Sequence, residues 1–426
     1  MSRRRPLAPA RRPVDGWATA QAADHGAYRR DERPEENVAG TVKVGGQETP
    51  LAQSDSVDSR AERNPPFSTS SSFAFEPLDD LETCRSEWVG LAERSGNIFS
   101  TWEWADSWWR YFGRGRSLRL LAARRPDRST AAIVPLYEAS RRPLRVGRLL
   151  GHGVADLLGP VAGPDERSAA TGALASAGET ALLDLVVAER LTTRDVSGGS
   201  MRPCVVRRES SPALPTEGMS WDEFLATRSS NFRQQVRRRE RRMKREFGLT
   251  LSLTETEASL ERDFATLLDL HAARWGRASS AFSPTRRAFH REFAFRAFRQ
   301  GWLRLWTAYA NDRPVASWYG FRFGGAEWYY QGGRDPAWEH EAVGFVLMAH
   351  TLREAFTDGM REYRLLLGAE AYKERFASED QEVETLILPA SGGGHRVVRP
   401  ITTAAQHAPT ATRKVVGRLL DRGTRR

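Results

Sequence analysis

Between residues 249 and 388 the chain carries two different spacings of apolar side chains. One helical face is formed by Leu260, Phe264, Leu267, Leu268, His271 and Trp275. Side chains three, four or seven residues apart line one stripe of a helix, so this spacing predicts an amphipathic helix ending near Trp275. A second helix is predicted over 285–300, because Ser283 offers an N-cap oxygen and Pro284 suits the first helical position.

The other spacing is alternation with a period of two, which predicts strands. Residues 249–255 alternate in this way, and further strands are predicted at residues 302–309, 315–323, 326–331, 362–367 and 382–388. The pairs Asn311-Asp312 and Gly324-Gly325 separate three of these strands and are typical of hairpin turns. Helices are predicted over 342–358, after a glycine loop, and over a short stretch that carries Lys373. The predicted element order is β-α-α-β-β-β-α-β-α-β.

An internal repeat indicates that this order occurs twice. Residues 118–137 align without gaps over residues 303–322, and seven of the 20 positions are identical. Each copy is predicted to form two strands joined by a polar turn. Phe99-Ser100 and Phe282-Ser283 stand at matching places before an aromatic-rich helix. Because order is kept on both sides of the match, the repeat predicts two duplicated domains.

Composition sets the ends and the surroundings of these domains. We predict disordered tails over 1–68 and 401–426, an N-terminal domain over 69–215 and a C-terminal domain over 216–400. Two cysteines far apart argue against a disulfide framework, and no apolar run reaches 18 residues, so a cytoplasmic protein without a transmembrane segment is expected.

Charge is concentrated in two places. Of the net charge of +10, residues 228–246 carry nine basic and two acidic side chains, and the C-terminal tail is also basic. The remaining chain is slightly acidic, so we predict that its folded part is not a general nucleic-acid surface. For the basic helix three interpretations stay open: a solvated face, a site for a phosphorylated donor or nucleotide-linked acceptor, or a surface for RNA.

Four segments carry a resemblance to a known family. They are LLDLHAARW (267–275), YYQGG (329–333), EAVGFVLMAHTLREAFTDGMREY (341–363) and GAEAYKERF (368–376). Together they resemble the acetyltransferase-like domain of the CelD cellulose-biosynthesis family, which is related to the Fem peptidyltransferases. The resemblance implies tandem GNAT-like α/β domains, each with a mixed, mostly antiparallel sheet flanked by helices. Arg364-Leu365 depart from the acidic-aromatic pair that the family has before its Gly-x-Glu-x-Tyr-Lys motif.

The resemblance also implies a site in the second domain. Glu370 is the expected general base, Tyr372 the donor to a leaving thiolate or oxyanion, and Lys373 a stabiliser of negative charge. Lys373 is one of only four lysines in an arginine-rich chain, whereas its neighbour Arg375 is expected to be solvated. The alternative is a short amphipathic helix with Tyr372 packed and Glu370 and Lys373 solvated.

Cofactor and substrate contacts are predicted around this motif. Gly332, Gly333 and Gly344 are expected to hold the pyrophosphate of acyl-CoA at a helix N-terminus, with tight packing as the alternative for Gly344. Acceptor contacts are assigned to Arg274, Trp275 and Tyr330. His271 and His350 are interpreted as core histidines, and no metal-ligand spacing occurs.

These assignments predict an acyltransferase that moves an acyl group, typically acetyl, from acyl-CoA to an amine or hydroxyl of a sugar- or peptide-like acceptor. Two alternatives stay open. One is a Fem-like aminoacyl transferase that uses aminoacyl-tRNA, and the other is an inactive GNAT-like binding protein. The first domain contains no lysine and no counterpart of the Glu-x-Tyr-Lys motif, so it is expected to be non-catalytic.

Overall fold

The computed structural model describes residues 73–140, 144–192 and 204–390. The predicted tails over 1–68 and 401–426 lie outside these ranges. The described residues form two sheets of seven strands each, with helices packed on both. Nearly all of the predicted elements are present, within a few residues of their predicted bounds.

The described elements are named here in chain order. The first half contains β1 (Ala74–Leu78), α1 (Arg85–Ser95), α2 (Trp102–Phe112), β2 (Ser117–Arg124), β3 (Thr130–Ser140), β4 (Val146–Leu149), α3 (Arg167–Thr180), β5 (Leu185–Thr192) and β6 (Cys204–Glu209). The second half contains β7 (Pro212–Pro215), α4 (Trp221–Thr227), α5 (Ser230–Phe247), β8 (Thr250–Leu253), α6 (Glu257–Trp275), α7 (Pro284–Arg299), β9 (Leu303–Ala310), β10 (Arg313–Phe323), β11 (Ala326–Arg334), α8 (Val343–Thr357), β12 (Glu362–Arg364), α9 (Ala371–Glu374), β13 (Glu379–Asp380) and β14 (Val383–Pro389).

The two sheets have the same topology. The first has the order β1-β2-β3-β4-β5-β14-β6, and the second, read from the matching edge, has the order β8-β9-β10-β11-β12-β7-β13. Each contains one parallel pair, β4 with β5 and β11 with β12, and every other pair is antiparallel. The repeated segments form β2-β3 and β9-β10, which occupy the same positions in their sheets. The prediction of a mixed α/β fold in two copies is therefore confirmed.

The hairpin turns follow the expected chemistry. Asn311 and Asp312 between β9 and β10 have φ angles of 49° and 60°, and Gly324 and Gly325 between β10 and β11 have 61° and 77°. Two consecutive residues with positive φ match the right-handed twist of the flanking strands, and Asn, Asp and Gly tolerate this conformation.

One strand of each sheet comes from the part of the chain that the sequence assigns to the other domain. Strand β14, which the sequence assigns to the second domain, lies between β5 and β6 of the first sheet, and β7 lies between β12 and β13 of the second. We call the first sheet with α1–α3 the N-terminal lobe, and the second sheet with α4–α9 the C-terminal lobe. Periodicity predicted the strand at 382–388 correctly but carries no information on which sheet accepts it.

The two crossing segments are bonded to each other. Asp380 accepts hydrogen bonds from Ser210 Oγ at 2.7 Å and from the Ser211 amide at 2.8 Å. The Gln381 amide donates to the Ser211 carbonyl at 3.1 Å. The exchanged strands therefore leave and enter their sheets at one shared point.

Equivalent helices of the lobes also pack together. Trp104 of α2 lies edge-on to Phe289 and Phe293 of α7, with ring centroids 5.0 and 4.7 Å away. Nearby, the guanidinium of Arg296 donates to Asp106 at 2.7 Å. One continuous hydrophobic core consequently runs from the N-terminal lobe to one face of the second sheet. The opposite face of that sheet packs against α4, α5 and α8 in a separate core.

Candidate functional site

A cleft opens in the second sheet where its two parallel strands separate. β12 pairs with β11 only as far as Trp328 and Arg364, while β11 continues to Arg334. The unpaired part of β11, the start of α8 and α9 surround an empty volume of about 610 Å³, including its solvent-filled mouth. The prediction of a glycine loop at 331–333 is wrong. These residues belong to β11, because the strand continues its pairing with β10.

The cleft has an apolar body and a positively charged end. Its apolar wall is formed by Trp318, Tyr329, Phe345, Leu347, Met348 and Phe376. Arg274 at the end of α6 and Arg334 at the end of β11 line it as well, together with Glu339, whose carboxylate lies 2.8 Å from the Arg334 guanidinium. Burial lowers the pKa of Arg274, the direction expected for a cation removed from water.

The N-terminus of α8 faces this charged end. Ala342 precedes it with a φ of 52°, and its carbonyl accepts from the amides of Phe345 and Val346. The amides of Val343 and Gly344 thus lie outside the helical hydrogen-bond ladder, and the first turn holds no acidic residue. A helix N-terminus of this kind favours an anion.

The three predicted glycines differ in what their lack of a side chain permits. A Cβ on Gly333 would meet the His271 amide nitrogen at 2.3 Å, so Gly333 allows α6 to pack closely against β11. A Cβ on Gly332 would meet the Tyr329 hydroxyl at 2.8 Å inside the cleft. A Cβ on Gly344 would meet only Arg334 Cδ, at 3.6 Å, so tight packing does not account for this glycine.

The motif Gly-x-Glu-x-Tyr-Lys forms a turn followed by the short helix α9. Leu366 and Gly368 both have positive φ, 58° and 113°. A Cβ on Gly368 would lie 2.3 Å from a carboxylate oxygen of Glu370, so the turn requires glycine there. Tyr372 then projects into the cleft, where its hydroxyl is hydrogen-bonded to that of Tyr329. Burial, together with Tyr329 and Glu370, raises the pKa of Tyr372 well above its usual range.

Lys373 points away from the cleft. Its side chain is 2% exposed, and its Nζ lies 3.0 Å from Glu370 Oε2. It also donates to the carbonyls of Leu366 and Leu367, which belong to the turn. Burial lowers the pKa of Lys373, opposed by Glu370 and by Asp156. Lys373 is therefore not solvated, as the alternative expected, and it does not reach the cleft as a stabiliser of negative charge; it is fixed beneath the turn.

The N-terminal lobe supplies two charged residues that the sequence did not indicate. Asp156 is near Lys373 and accepts a hydrogen bond from the Leu367 amide, while Arg190 lies 3.4 Å from its carboxylate. Burial raises the pKa of Asp156, opposed by Arg190 and Lys373. Because Asp156 and Lys373 are more than 200 positions apart in the sequence, no local pattern relates them.

Several other predicted residues lie elsewhere. Tyr330 is buried and donates to the carbonyl of Val154 at 2.6 Å, so it joins the lobes and does not line the cleft. The ring of Trp275 supports Arg274, whose guanidinium carbon lies 4.2 Å from the ring centroid. Arg375 is also unlike its prediction: it is half-buried, lies over Phe345 and donates to Gln235.

His271 and His350, the two histidines considered in the sequence, are packed in the core. His271 lies 3.3 Å from the Gly332 carbonyl through Nδ1 and 3.0 Å from the Ser279 hydroxyl through Nε2. Burial lowers the pKa of His271 to about 4 and that of His350 to about 4. The interpretation of both as core histidines agrees with these positions.

A groove between the lobes approaches the separated strands from the other face of the sheet. It has an empty volume of about 1410 Å³ and is lined by residues 157–160 of the N-terminal lobe and by Trp328, Arg364 and Asp380. Arg364, the departure from the family pattern, lies over the ring of Trp328 at 4.6 Å and donates to Glu362 at 2.7 Å. The unusual residue therefore lines this groove.

The N-terminal lobe carries charged pairs near its parallel strands and at the start of α3. Arg148 of β4 is fully buried and bonded to Glu189 of β5, which also contacts His152. At the α3 N-terminus, Glu166 lies 3.0 Å from Arg125 and 3.4 Å from Arg94. In the C-terminal lobe the carboxylate before α8 that lines the cleft is Glu339, which is paired with Arg334.

Two further properties concern the described residues only. They contain no cluster of three or more histidine, cysteine, aspartate or glutamate side chains that would hold a metal ion. None of their helices is both long enough and apolar enough to cross a membrane.

Comparison with known proteins agrees with this fold. Residues 230–374 match the family model of the acetyltransferase (GNAT) domain. The crystal structure of FemX, 10% identical, covers 77% of this chain and 100% of its own with a TM-score of 0.54. At this identity the likeness shows the fold alone. No curated protein sequence matches the chain significantly.

Two more solved structures are similar at lower TM-scores. The C-terminal domain of a putative lysylphosphatidylglycerol synthetase from Agrobacterium fabrum is 10% identical, covers 76% of this chain and 97% of its own, and has a TM-score of 0.48. A tandem GNAT protein from the clavulanic acid biosynthesis pathway is 12% identical, covers 76% and 100%, and has a TM-score of 0.44. The family match identifies an acyltransferase domain in the C-terminal lobe; membership of the CelD family stays a prediction.

Proposed function

We propose that this chain, whose C-terminal lobe carries a GNAT acetyltransferase domain, transfers an acyl group, typically acetyl, from acyl-CoA to an amine or hydroxyl of a sugar- or peptide-like acceptor. The observation that carries the proposal is the cleft between β11 and the turn before α9, which ends at the N-terminus of α8. An acyl thioester with an anionic pyrophosphate needs an apolar channel and a cationic end, and the cleft has both.

The donor's two chemical parts correspond to two parts of the cleft. The apolar wall around Trp318 and Phe345 suits a thioester chain. The amides of Val343 and Gly344 and the guanidinium of Arg334 suit a pyrophosphate, because backbone N–H groups and a helix dipole favour anions. We no longer assign an acceptor contact to Tyr330 or Trp275, since neither lines the cleft.

Among the three residues of the motif, we assign the reacting contact to Tyr372 alone. In the proposed step the acceptor nitrogen or oxygen bonds to the thioester carbonyl carbon, and the carbon–sulfur bond breaks. The thiolate receives the Tyr372 hydroxyl proton, and the proton lost by the acceptor returns to the tyrosinate. A raised pKa keeps Tyr372 protonated as a donor. Glu370 and Lys373 act as positioning residues, since neither lines the cleft.

The acceptor is assigned to the groove between the lobes. This groove is polar, reaches the sheet from the face opposite α8, and presents aromatic and charged side chains such as Trp328 and Arg364. Aromatic faces and hydrogen-bonding groups together are suited to a hydroxyl-rich or peptide-like molecule. The connection with polysaccharide synthesis comes from the family resemblance alone.

The N-terminal lobe is proposed to be non-catalytic. Arg148 and Glu189 form a buried pair that joins β4 to β5 in that lobe. Glu166 places a negative charge at the start of α3, which disfavours a second anion there. One donor is therefore expected per chain.

The proposal is tested by measuring thiol release from acetyl-CoA with panels of amino sugars, sugar alcohols and short peptides. Acceptor-dependent release that is lost in Tyr372→Phe supports the proposal. Release that is unchanged in Tyr372→Phe would contradict the assignment of Tyr372. Transfer from aminoacyl-tRNA without any binding of acetyl-CoA would support the Fem-like alternative, and neither activity would support the binding-protein alternative.

A further inference from the structure

A second cavity lies beside the cleft, on the far side of a wall of aromatic rings. Phe232, Phe345 and Phe376 contact one another, with ring centroids 5.2 to 5.6 Å apart. Phe345 and Phe376 line the cleft, whereas Phe232 lines the second cavity, which has an empty volume of about 1040 Å³. The two spaces therefore share this wall.

Three arginines line the second cavity. Arg228 and Arg239 come from the segment around α5, and Arg375 follows α9. Glu374 is the sole carboxylate among the lining residues, so the lining carries a formal charge of +2. Within the described parts of the chain, neither Arg228 nor Arg239 has a carboxylate within the 4.0 Å that defines an ion pair. The remaining polar lining consists of hydroxyl and amide groups, from Thr227, Ser229, Asn231 and Gln235.

Arg228 and Arg375 donate hydrogen bonds to oxygen atoms near the cavity. Arg228 donates to the carbonyls of Phe376 and Ala377 at 2.9 and 3.2 Å, and Arg375 donates to Gln235 Oε1 at 2.9 Å. The Nε atom of Arg239 is buried and has no hydrogen-bond acceptor among the described residues. Burial lowers the pKa of all three guanidinium groups. Arg238 lowers the pKa of Arg239 further, and Arg239 lowers the pKa of Arg375 further.

Gathering three like charges around one partly buried cavity, with a single carboxylate in its lining, costs free energy that a bound anion would offset. Some basic residues of α5 are paired with carboxylates of the same helix, as Lys244 is with Glu240 and Arg242 with Glu246. Arg239 differs from these two, because its Nε atom is buried and has no hydrogen-bond acceptor among the described residues.

We propose that the cavity lined by Arg228, Arg239 and Arg375 binds the terminal phosphate monoester of the acyl-CoA donor. The inference rests on the proposed function, because the shared aromatic wall places the cavity beside the donor cleft. Guanidinium groups match phosphate oxygens in a two-pronged geometry, and such charge-assisted bonds are stronger than neutral ones. Of the three interpretations of residues 228–246, this proposal selects the site for a phosphorylated donor. It assigns that site to a single phosphate group.

The test compares the affinities of coenzyme A and 3′-dephospho-coenzyme A for the full chain by calorimetry. The wild type should bind coenzyme A about tenfold more tightly, the effect of one to two charge-assisted hydrogen bonds. In Arg239→Gln the preference should fall below about twofold, while affinity for the dephospho compound stays unchanged and reports an intact cleft. Arg241→Gln is the matched control, because Arg241 is an exposed arginine of the same helix that does not line the cavity.

Equal affinity of the wild type for the two compounds, or an unchanged preference in Arg239→Gln, would overturn the inference. If neither compound binds, the proposed function is wrong. Anion binding by the cavity is then tested separately, by measuring the melting temperature with inorganic phosphate. A rise in melting temperature with phosphate that Arg239→Gln abolishes and Arg241→Gln keeps would retain an anion site there. The absence of such a rise would overturn the anion site as well.

Discussion

The ammonium nitrogen of Lys373 lies 3.0 Å from Oε2 of Glu370, and both side chains are closed off from solvent. Lys373 additionally donates to carbonyls of the turn at 366–367. Asp156 of the N-terminal lobe lies close enough to affect its pKa. This pair therefore fixes the turn that presents Tyr372 and couples it to the other lobe.

Replacing Lys373 should lower stability as well as turnover. Lys373→Met leaves the Glu370 carboxylate buried without its partner, which typically costs ~3–5 kcal/mol. Lys373→Arg places a larger group in a closed site, which predicts a loss of ~1–3 kcal/mol. Urea unfolding checks both values. Lys244→Met, at an exposed ion pair of α5, is the control and should change stability by less than ~0.5 kcal/mol. A Lys373→Met variant of wild-type stability would show that the pair is not structural.

Tyr372→Phe should reduce turnover without weakening the fold. A positioned proton donor typically contributes ~10²–10⁴ in rate, so kcat should fall by that range while KM changes little. Tyr309→Phe, on β9 and outside the lining of the cleft, should leave kcat unchanged. Steady-state kinetics with acetyl-CoA separates the two parameters. A rise in KM at constant kcat would mean that Tyr372 only binds substrate.

The lobes are expected to fold only as a pair. A fragment of residues 216–400 keeps β14 but lacks β5 and β6, its two partners, and it also lacks β7 from the second sheet. Unpaired strand edges and missing ladder bonds should prevent cooperative unfolding of this fragment. Circular dichroism during urea titration of the fragment and of the full chain checks this. A sharp transition in the fragment at the denaturant concentration of the full chain would contradict it.

Acidification should destabilise the chain through its buried histidines. Burial lowers the pKa of His290 to about 3, whereas an unfolded histidine has a pKa near ~6.5. Below that value the unfolded chain binds a proton that the folded chain does not, so stability falls as pH decreases from about 6.5 towards 3. His290→Gln should reduce the slope of unfolding free energy against pH by ~1.4 kcal/mol per unit. His340→Gln, at an exposed position, should keep the wild-type slope. An equal slope in all three proteins would contradict the assignment of His290.

Local signals in the sequence predicted the elements, because periodicity and turn residues are properties of neighbouring positions. Strands β8 to β12 and β14 and helices α6 to α9 follow from such signals, whereas β7, β13 and α4 were not predicted. The exchange of β7 and β14 did not, since alternation describes a strand but not its partner. The burial of Lys373 was missed for the same reason: its environment includes Asp156, which only the docking of the lobes brings near.

Five of the residues that the sequence indicated for the site line the cleft. They are Tyr372, Arg274, Gly332, Gly333 and Gly344. Trp275 and Tyr330 were assigned because they stand beside such residues in the sequence, but neither lines the cleft. Tyr330 follows Tyr329 in β11, and successive strand residues point to opposite faces of the sheet. Arg364 stood out as a departure from a family pattern, and the groove gives that departure a location.

The central claim is that one acyl-CoA binds per chain, with its pyrophosphate at the N-terminus of α8. Titration calorimetry of coenzyme A against the wild type and Gly344→Glu tests it most directly. The substitution has room at this position and places a carboxylate where α3 of the other lobe has Glu166 nearby. Thr357→Glu, at the exposed C-terminal end of the same helix, is the control. We expect one binding site per chain, an affinity at least about tenfold weaker in Gly344→Glu, and wild-type affinity in Thr357→Glu. Absence of binding to the wild type, or equal affinity in Gly344→Glu, would contradict it.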